Sequence, residues 1–149
     1  MGNGFEETTR SGREAWPTAE TILVADGFVL RYHSLYKIVH HEFRRFVHGD
    51  EFHEVLEQGL TLLKRHGAMK WLSDDRNNGA LKPADAQWSS EDWAPRAMAA
   101  GWKYWAVVLP KKVFGQTNMR RFVEGSAQFG RIAQAFDEPT PAMSWLRQQ

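Results

Sequence analysis

Two short apolar runs, residues 21–25 and 28–32, open the hydrophobic pattern of the chain. Asp26 and Gly27 stand between them, and both residue types tolerate the positive φ that a type I′ turn requires. The pattern therefore predicts a β-hairpin at this point. A third extended stretch is predicted from Tyr36 toward Val47, although its alternation of apolar and polar residues is imperfect.

After Gly49 the apolar residues recur at spacings of three and four instead. This spacing predicts an amphipathic helix over residues 50–66, in which Asp50 caps the first turn and Gly67 ends the helix. The apolar positions that set the spacing are Phe52, Val55, Leu56, Leu60 and Leu63.

Three further strands are predicted from short apolar runs at residues 69–72, 104–109 and 132–136. The run at 104–109 is nearly continuous and apolar, as strands covered on both faces tend to be. We therefore expect it at the centre of a sheet, with the other two runs beside it as inner strands.

Helices are predicted between and after these strands. One begins near Pro83, because proline fits the first helical position, where its missing N–H is not needed. Pro95 should divide that helix into two short helices or kink it, because its ring clashes with the preceding turn. Residues 118–126 and the segment after Asp137 show the helical spacing again.

Strands that alternate with helices indicate the α/β class, with a mixed, mostly parallel sheet and helices packed against it. The N-terminal hairpin would supply an antiparallel edge. Residues 1–18 are polar and lack an apolar period, so we expect a flexible leader there and one domain over residues 19–149. A chain of 149 residues is long enough to bury a core of its own.

Composition excludes several classes of function. Nineteen Lys and Arg against eighteen Asp and Glu leave a net charge of +1, so we expect no nucleic-acid partner. The absence of cysteine excludes disulfides, thiolate nucleophiles and Cys-based zinc sites. The charged start of the chain does not fit a signal peptide, and the longest apolar run, residues 105–109, is too short to span a membrane. We therefore expect a soluble, cytoplasmic protein with no integral membrane segment.

A polar run that follows the predicted strand 69–72 is the first candidate site. It consists of Asp74, Asp75, Arg76, Asn77 and Asn78. In open α/β sheets ligands collect outside the carboxyl ends of strands, and these side chains could bind a polar ligand or a divalent ion. A solvated loop with local Asp and Asn turns explains the same composition, and it is the favoured interpretation.

The six histidines show no metal-binding spacing, and we expect neither a metal nor a cofactor. His40 and His41 should point to opposite faces if their segment is a strand, so their adjacency does not make a chelating pair. Neither a Gly-x-Ser-x-Gly elbow nor a phosphate-binding glycine motif occurs, so no catalytic residue is assigned.

Aromatic residues offer a second candidate site, because the chain contains seven Trp. Tryptophan is enriched at protein interfaces, so Trp88 and Trp93 together with Arg96 could form a surface for a partner. Trp71 and Trp105 lie in predicted strands instead, and we expect both to be buried.

The chain resembles the STAS-like family over about residues 20–147. The closest local matches are the segments 70–74 (KWLSD), 101–108 (GWKYWAVV) and 135–139 (AFDEP), which are mostly strand cores. That family groups small bacterial proteins related to sulfate-transporter and anti-sigma-factor-antagonist domains and to the lipid-binding CRAL-TRIO lobe. The resemblance implies a single STAS-like domain that regulates by binding a protein. The antagonists carry a phosphorylated serine in an Asp-Ser-Ser-Gly type of motif, which residues 73–76 lack.

The expected function is a non-enzymatic, signalling type of module that engages a protein partner or a small ligand. We also expect a homo-oligomer, since an unpaired strand edge and exposed aromatic residues favour association. Two alternatives stay open. An enzyme would use Asp74 or Asp75 as general acid or base beside Arg76. A carrier of a lipid or other apolar ligand would need a closed apolar cavity between the helices and the sheet.

Overall fold

The structure, a computed structural model, describes residues 16–149. Most of the predicted leader, residues 1–15, lies outside that range. Trp16 is described, and its ring lies edge-on to His40 with 4.9 Å between the ring centroids.

Six strands form one mixed sheet whose spatial order follows the chain order. The first three strands pair antiparallel, and every later neighbour pairs parallel. This confirms the predicted α/β class and the three neighbouring strands near the C-terminus. The strands are β1 (Glu20–Val24), β2 (Phe28–His33), β3 (Ile38–Phe43), β4 (Lys70–Asp74), β5 (Tyr104–Val108) and β6 (Ile132–Phe136).

Helices cover both faces of the sheet. They are α1 (Gly49–His66), α2 (Pro83–Trp88), α3 (Ala94–Ala99), α4 (Val113–Gly125) and α5 (Pro139–Arg147). A π-helical turn, Ser89–Trp93, joins α2 to α3, and a 3₁₀ turn, Ser126–Phe129, follows α4.

The two sheet faces carry separate hydrophobic cores, because successive strand side chains point to opposite faces. The larger core packs α1, α3 and α4 against residues such as Val39, Trp71 and Val107. The smaller core packs α5 against the alternate residues of the same strands, such as Ile38 and Leu72. Alternate residues of β4 therefore pack into different cores, with Trp71 in the larger and Leu72 in the smaller.

The prediction of a type I′ turn in the hairpin is wrong, although the hairpin itself is present. A type I′ turn needs positive φ at both central residues, and neither Asp26 nor Gly27 has it. The turn lies close to α1, since a Cβ on Gly27 would lie 2.6 Å from Glu51 Oε2 at the end of a flexible side chain. Arg45 bridges the turn to α1 through ion pairs with Asp26 at 3.0 Å and Glu51 at 2.8 Å.

The predicted capping role of Asp50 is also wrong. The helix α1 begins at Gly49, so Asp50 lies within its first turn. The N–H of Gly49 donates instead to Asp85 Oδ2 of α2 at 2.9 Å. The predicted end of the helix at Gly67 is confirmed, because Gly67 adopts the left-handed conformation with φ 61°.

Pro95 divides its helical segment as predicted, and the division takes the form of a π-helical turn. The N–H of Ala94 donates to the carbonyl of Ser89, five residues back, and the next residue is the proline that lacks an N–H. The sequence carries no signal for the widened turn. Helix α4 begins at Val113, five residues before its predicted start at Asn118.

One expectation about the sheet is wrong in part. Strand β6 lies beside β5 as predicted, but it forms the edge of the sheet and is not an inner strand. Its residues are accordingly half-buried or exposed. Within residues 16–149, no helix is long and apolar enough to cross a membrane.

Candidate functional site

A cavity of about 560 Å³ lies between the larger-core face of the sheet and the helices that cover it. Its floor is formed by β3, β4 and β5, and its walls come from α1, from the segment 89–98 and from α4. Most of the lining is apolar, and the aromatic residues among it are Phe43, Phe52, Trp71, Trp93, Trp102, Trp105, Phe122 and Phe129.

Strand parity places the polar groups of the floor. Trp71, Ser73 and Asp75 alternate along β4 and its C-terminal extension, so all three point into the cavity. The parallel register sets His41 of β3 beside Ser73 and Trp105 of β5 beside Trp71. His41, Ser73 and Asp75 thus supply the polar groups of the cavity floor.

His41 is held by two hydrogen bonds. Its Nε2 lies 2.8 Å from Asp75 Oδ1, and its Nδ1 accepts from the Trp71 indole N–H at 3.0 Å. An indole nitrogen can only donate, so the Nδ1 of His41 must be unprotonated and Nε2 carries the proton. The pair fixes both the tautomer and the ring orientation of His41.

Ser73 is engaged by a different tryptophan. Its hydroxyl accepts from the Trp105 indole N–H at 2.8 Å and retains its own proton for donation. Both ring nitrogens of His41 already have other partners. His41 therefore cannot serve as the base for Ser73 in this arrangement, and the three residues do not form a Ser-His-Asp triad.

Four tryptophans pack around the cavity in one cluster. Trp93 contacts Trp71 and Trp102 with ring centroids 5.2 Å apart in each case, and Trp102 contacts Trp105 at 5.5 Å. Three of the indole N–H groups have acceptors, including that of Trp93, which donates to the Leu56 carbonyl at 2.8 Å. Trp102 Nε1 is buried without a hydrogen-bond partner in the described structure.

Arg131 is the buried cation of the cavity. It precedes β6 and is only 8% exposed, and its guanidinium lies 4.4 Å from the centroid of the Trp102 ring. It donates to Ser126 Oγ at 3.3 Å and to the sulfur of Met98 at 3.3 Å. Burial lowers the pKa of Arg131 from its ordinary value, because an apolar surrounding disfavours the charged form.

The mouth of the cavity is marked by lining residues that are also exposed. They come from the π-helical turn and the start of α3 on one side, and from α4 and the 3₁₀ turn on the other. Widened helical turns recur at functional sites, and this one borders the opening. The exposed lining residues are Ser90, Pro95, Arg121, Gln128 and Phe129.

The structure separates the two acidic residues of the predicted polar run. Asp75 faces the cavity, whereas Asp74 faces the opposite core and accepts two hydrogen bonds from the Arg76 side chain, at 3.0 and 2.9 Å. This pairing raises the pKa of Arg76. Arg76 also lies 3.7 Å from Glu138, so its charge is directed away from Asp75.

The two asparagines of the same run differ in exposure. Asn77 is exposed, and Asn78 is buried and accepts from the Val47 backbone N–H at 3.0 Å. The five residues therefore do not converge on one point. Whether any of them binds a ligand stays a prediction.

The residues of the predicted partner surface lie in different surroundings. Trp88 is half-buried and stacks on His53 with 3.7 Å between ring centroids, and Trp93 is buried beside the cavity. Arg96 pairs with Glu57 and Asp92, each at 2.8 Å, and these hydrogen bonds raise its pKa. The protein partner and the homo-oligomer stay predictions.

The histidine strand behaves as its parity predicts. His40 and His41 point to opposite faces of the sheet. The Nδ1 of His40 lies 3.0 Å from the Nε2 of His33. Across residues 16–149, no three His, Asp or Glu side chains are grouped closely enough to hold a metal ion.

Of the predicted site residues, Asp75 and Trp93 line the cavity, and Trp93 was predicted for a partner surface instead. His41 and Ser73 could have been added from strand parity, had the pairing of β3 with β4 been known. Arg131 carried one weak signal, a lone cation directly before an apolar strand. Nothing in the sequence indicated that a cavity would lie beside Arg131.

Comparisons with known proteins add no relative: no family model, no curated protein and no solved structure matches this chain.

Proposed function

We propose that this protein is a non-catalytic binding module that takes an elongated, largely apolar small molecule into the cavity between its sheet and its helices. The observation that carries the proposal is the cavity itself. It lies between the helices and the sheet and is mainly apolar, as the carrier hypothesis requires, but it opens at a mouth and is not closed. A volume of about 560 Å³ falls within the range of small-molecule sites.

The lining supports an apolar ligand with a few polar atoms. Ligand sites are mainly apolar surfaces with a small number of placed polar groups that fix orientation. Here those groups are Asp75 and Ser73 at one end and Arg131 at the other, with the tryptophan cluster between them. A ligand in this space would gain packing contacts with the apolar lining.

A binding role fits the side-chain geometry better than catalysis. His41 has both ring nitrogens engaged, and Asp75 is bonded to His41 and does not contact Arg76. The enzymatic alternative needs Asp74 or Asp75 beside Arg76. Asp75 lines the cavity without Arg76, and Asp74 pairs with Arg76 but does not line the cavity. The resemblance to the STAS-like family, which includes the relatives of a lipid-binding lobe, supports the same choice, and we retain that membership as part of the proposal.

Cavity filling tests the proposal. Ala94 lines the cavity from α3, and Ala99 on the same helix is exposed and away from it. Decan-1-ol is a suitable neutral probe, and its binding is measured by titration calorimetry and by the rise in Tm. Ala94→Phe should abolish both signals, because the added ring occupies the ligand's space.

Ala99→Phe is the matched control and should bind decan-1-ol as the parent chain does. Circular dichroism and a cooperative melt establish that both variants fold. If the parent chain shows neither heat nor a Tm shift with saturating decan-1-ol, or if the two variants bind alike, the proposed function fails.

A further inference from the structure

Arg131 differs from the other buried or half-buried arginines in its partners. Arg31, Arg76 and Arg96 each have a carboxylate oxygen within 2.9 Å. Arg131 is more buried than Arg76 or Arg96, and no carboxylate lies within ion-pair distance of it among residues 16–149. Its two hydrogen-bond acceptors are a hydroxyl and a thioether, and neither carries a charge.

The aromatic rings beside Arg131 compensate its charge only in part. The guanidinium lies 4.4 Å from the Trp102 centroid and 5.6 Å from that of Trp105. Such contacts attract a cation but supply no hydrogen-bond acceptor. Two of the five N–H groups of the guanidinium donate to acceptors among residues 16–149, so three could donate to a ligand.

A second donor without an acceptor lies in the same place. Trp102 Nε1 has no hydrogen-bond partner among the described residues, and its ring is the one on which the guanidinium lies. Unsatisfied buried donors are rare and costly, and a buried cation without a counter-ion is more so. This end of the cavity therefore presents hydrogen-bond donors and a positive charge that suit an anionic group.

We infer that the ligand is an amphiphile with an anionic head, of the carboxylate type, which binds Arg131 while its apolar body lies among the tryptophans. The inference rests on the proposed function, because it concerns the same cavity. Guanidinium and carboxylate form short, charge-assisted hydrogen bonds in a matching planar geometry. The apolar surroundings of Arg131 strengthen such a pair, since little water competes with it.

The charges of the cavity also fix the orientation of the ligand. The register of β5 with β6 places Arg131 beside Lys103, just before β5. The register of β4 with β5 places Asp75 beside Leu109, just after β5 and six residues further along the chain. The two backbone positions are thus about 20 Å apart along the strands. A carboxylate head is repelled at the Asp75 end and attracted at the Arg131 end.

The test compares two probes with the same ten-carbon chain, decanoate and decan-1-ol. In the parent chain decanoate should bind at least tenfold more tightly, because one head makes charge-assisted hydrogen bonds and the other does not. Arg131→Met should remove this preference, because it weakens the binding of decanoate at least tenfold more than that of decan-1-ol. Arg120→Met is the matched control, since Arg120 lies on α4, is exposed and does not line the cavity.

The outcomes separate the inference from the proposed function. If decan-1-ol binds and decanoate binds no more tightly, the anionic head is refuted while the apolar cavity site stands. If Arg131→Met retains the preference, Arg131 is not the docking group and the inference is likewise overturned. Should that variant fail to fold, Arg131→Gln and the comparison in the parent chain decide the question. If neither probe binds, the proposed function fails and the inference with it.

Discussion

A single side chain, Arg131, gives the cavity a positive charge and at the same time lowers the stability of the fold. Taking a guanidinium out of water without a counter-ion is unfavourable, and the contacts with Trp102 and Ser126 offset only part of that cost. Residues kept at a cost in stability are typical of binding sites. Arg131 fits that description better than that of a structural residue.

At this scale we predict that Arg131→Met stabilises the ligand-free protein by about 1 kcal/mol. The methionine side chain keeps much of the apolar contact with Trp102 and removes the buried charge. Urea unfolding at pH 7 measures the change. Arg120→Met, on the solvent side of α4, should stay within about 0.5 kcal/mol of the parent chain. A loss of stability in the Met variant would show that Arg131 holds the fold together.

Individual residues were the hardest part to predict from the sequence. Trp71 and Trp105 were expected in buried strands, and this is confirmed by exposures of 1% and 8%. The capping role of Asp50 was wrong because the partner of the first amide, Asp85, lies 36 residues away along the chain. A contact at that separation leaves no local pattern to detect.

Between elements, the contact of α1 with β4 depends on one glycine. Gly59 lies on the buried face of α1 directly against the Trp71 indole, and a Cβ there would overlap that ring. The indole in turn donates to His41 Nδ1. The distance between helix and sheet thus determines where His41 and the cavity floor lie.

We predict that Gly59→Ala destabilises the protein by about 2 kcal/mol. Alanine is the better helix former by about 1 kcal/mol, but overlap in a packed core costs about 1–3 kcal/mol and displaces the Trp71 hydrogen bond as well. Gln58→Ala, one position along and exposed, is the control and should have little effect. Chemical denaturation measures both. A stabilised Gly59→Ala variant would mean that Trp71 has room to move.

Secondary structure was more predictable than the residues that cap or distort it. The period of three and four residues identified α1, and the apolar run at 132–136 matched β6. Boundaries shifted where propensity alone had to decide, as at the start of α4. The π-helical turn is a consequence of packing and of Pro95 together, so the sequence predicted a break but not its form.

Over the whole molecule, the core opposite the cavity carries a buried histidine pair that links stability to pH. Burial first, then the positive charges of Arg31 and Arg147, lower the pKa of His33 to about 4. Burial also lowers the pKa of His40 well below 6.5, with His33, Arg31, His41 and Arg76 adding to the effect. Both rings are therefore neutral in the folded chain at pH 7.

We predict that this pair destabilises the protein in mild acid. A histidine whose folded pKa is lowered stabilises fully above the unfolded value of about 6.5 and less as the pH falls toward about 4. His33 alone should account for a loss of about 2 kcal/mol in the free energy of unfolding between pH 7 and pH 5. Denaturant titrations at several pH values measure how steeply the free energy of unfolding changes with pH.

The slope should decrease in His33→Gln and persist in His48→Gln, which alters an exposed histidine. It should not vanish in the first variant, because His40 still titrates. Equal slopes in all three proteins would show that the histidine pair does not govern the acid response.

The arrangement of the tryptophans has an optical consequence. Four of the seven indoles touch the same cavity, with neighbouring centroids 5.2 to 6.4 Å apart. At such separations excitation energy passes between the rings before fluorescence is emitted. An occupant that quenches one indole therefore also lowers the fluorescence of the other three. The intrinsic emission of the unlabelled chain should therefore respond strongly to an occupant that quenches one of these indoles.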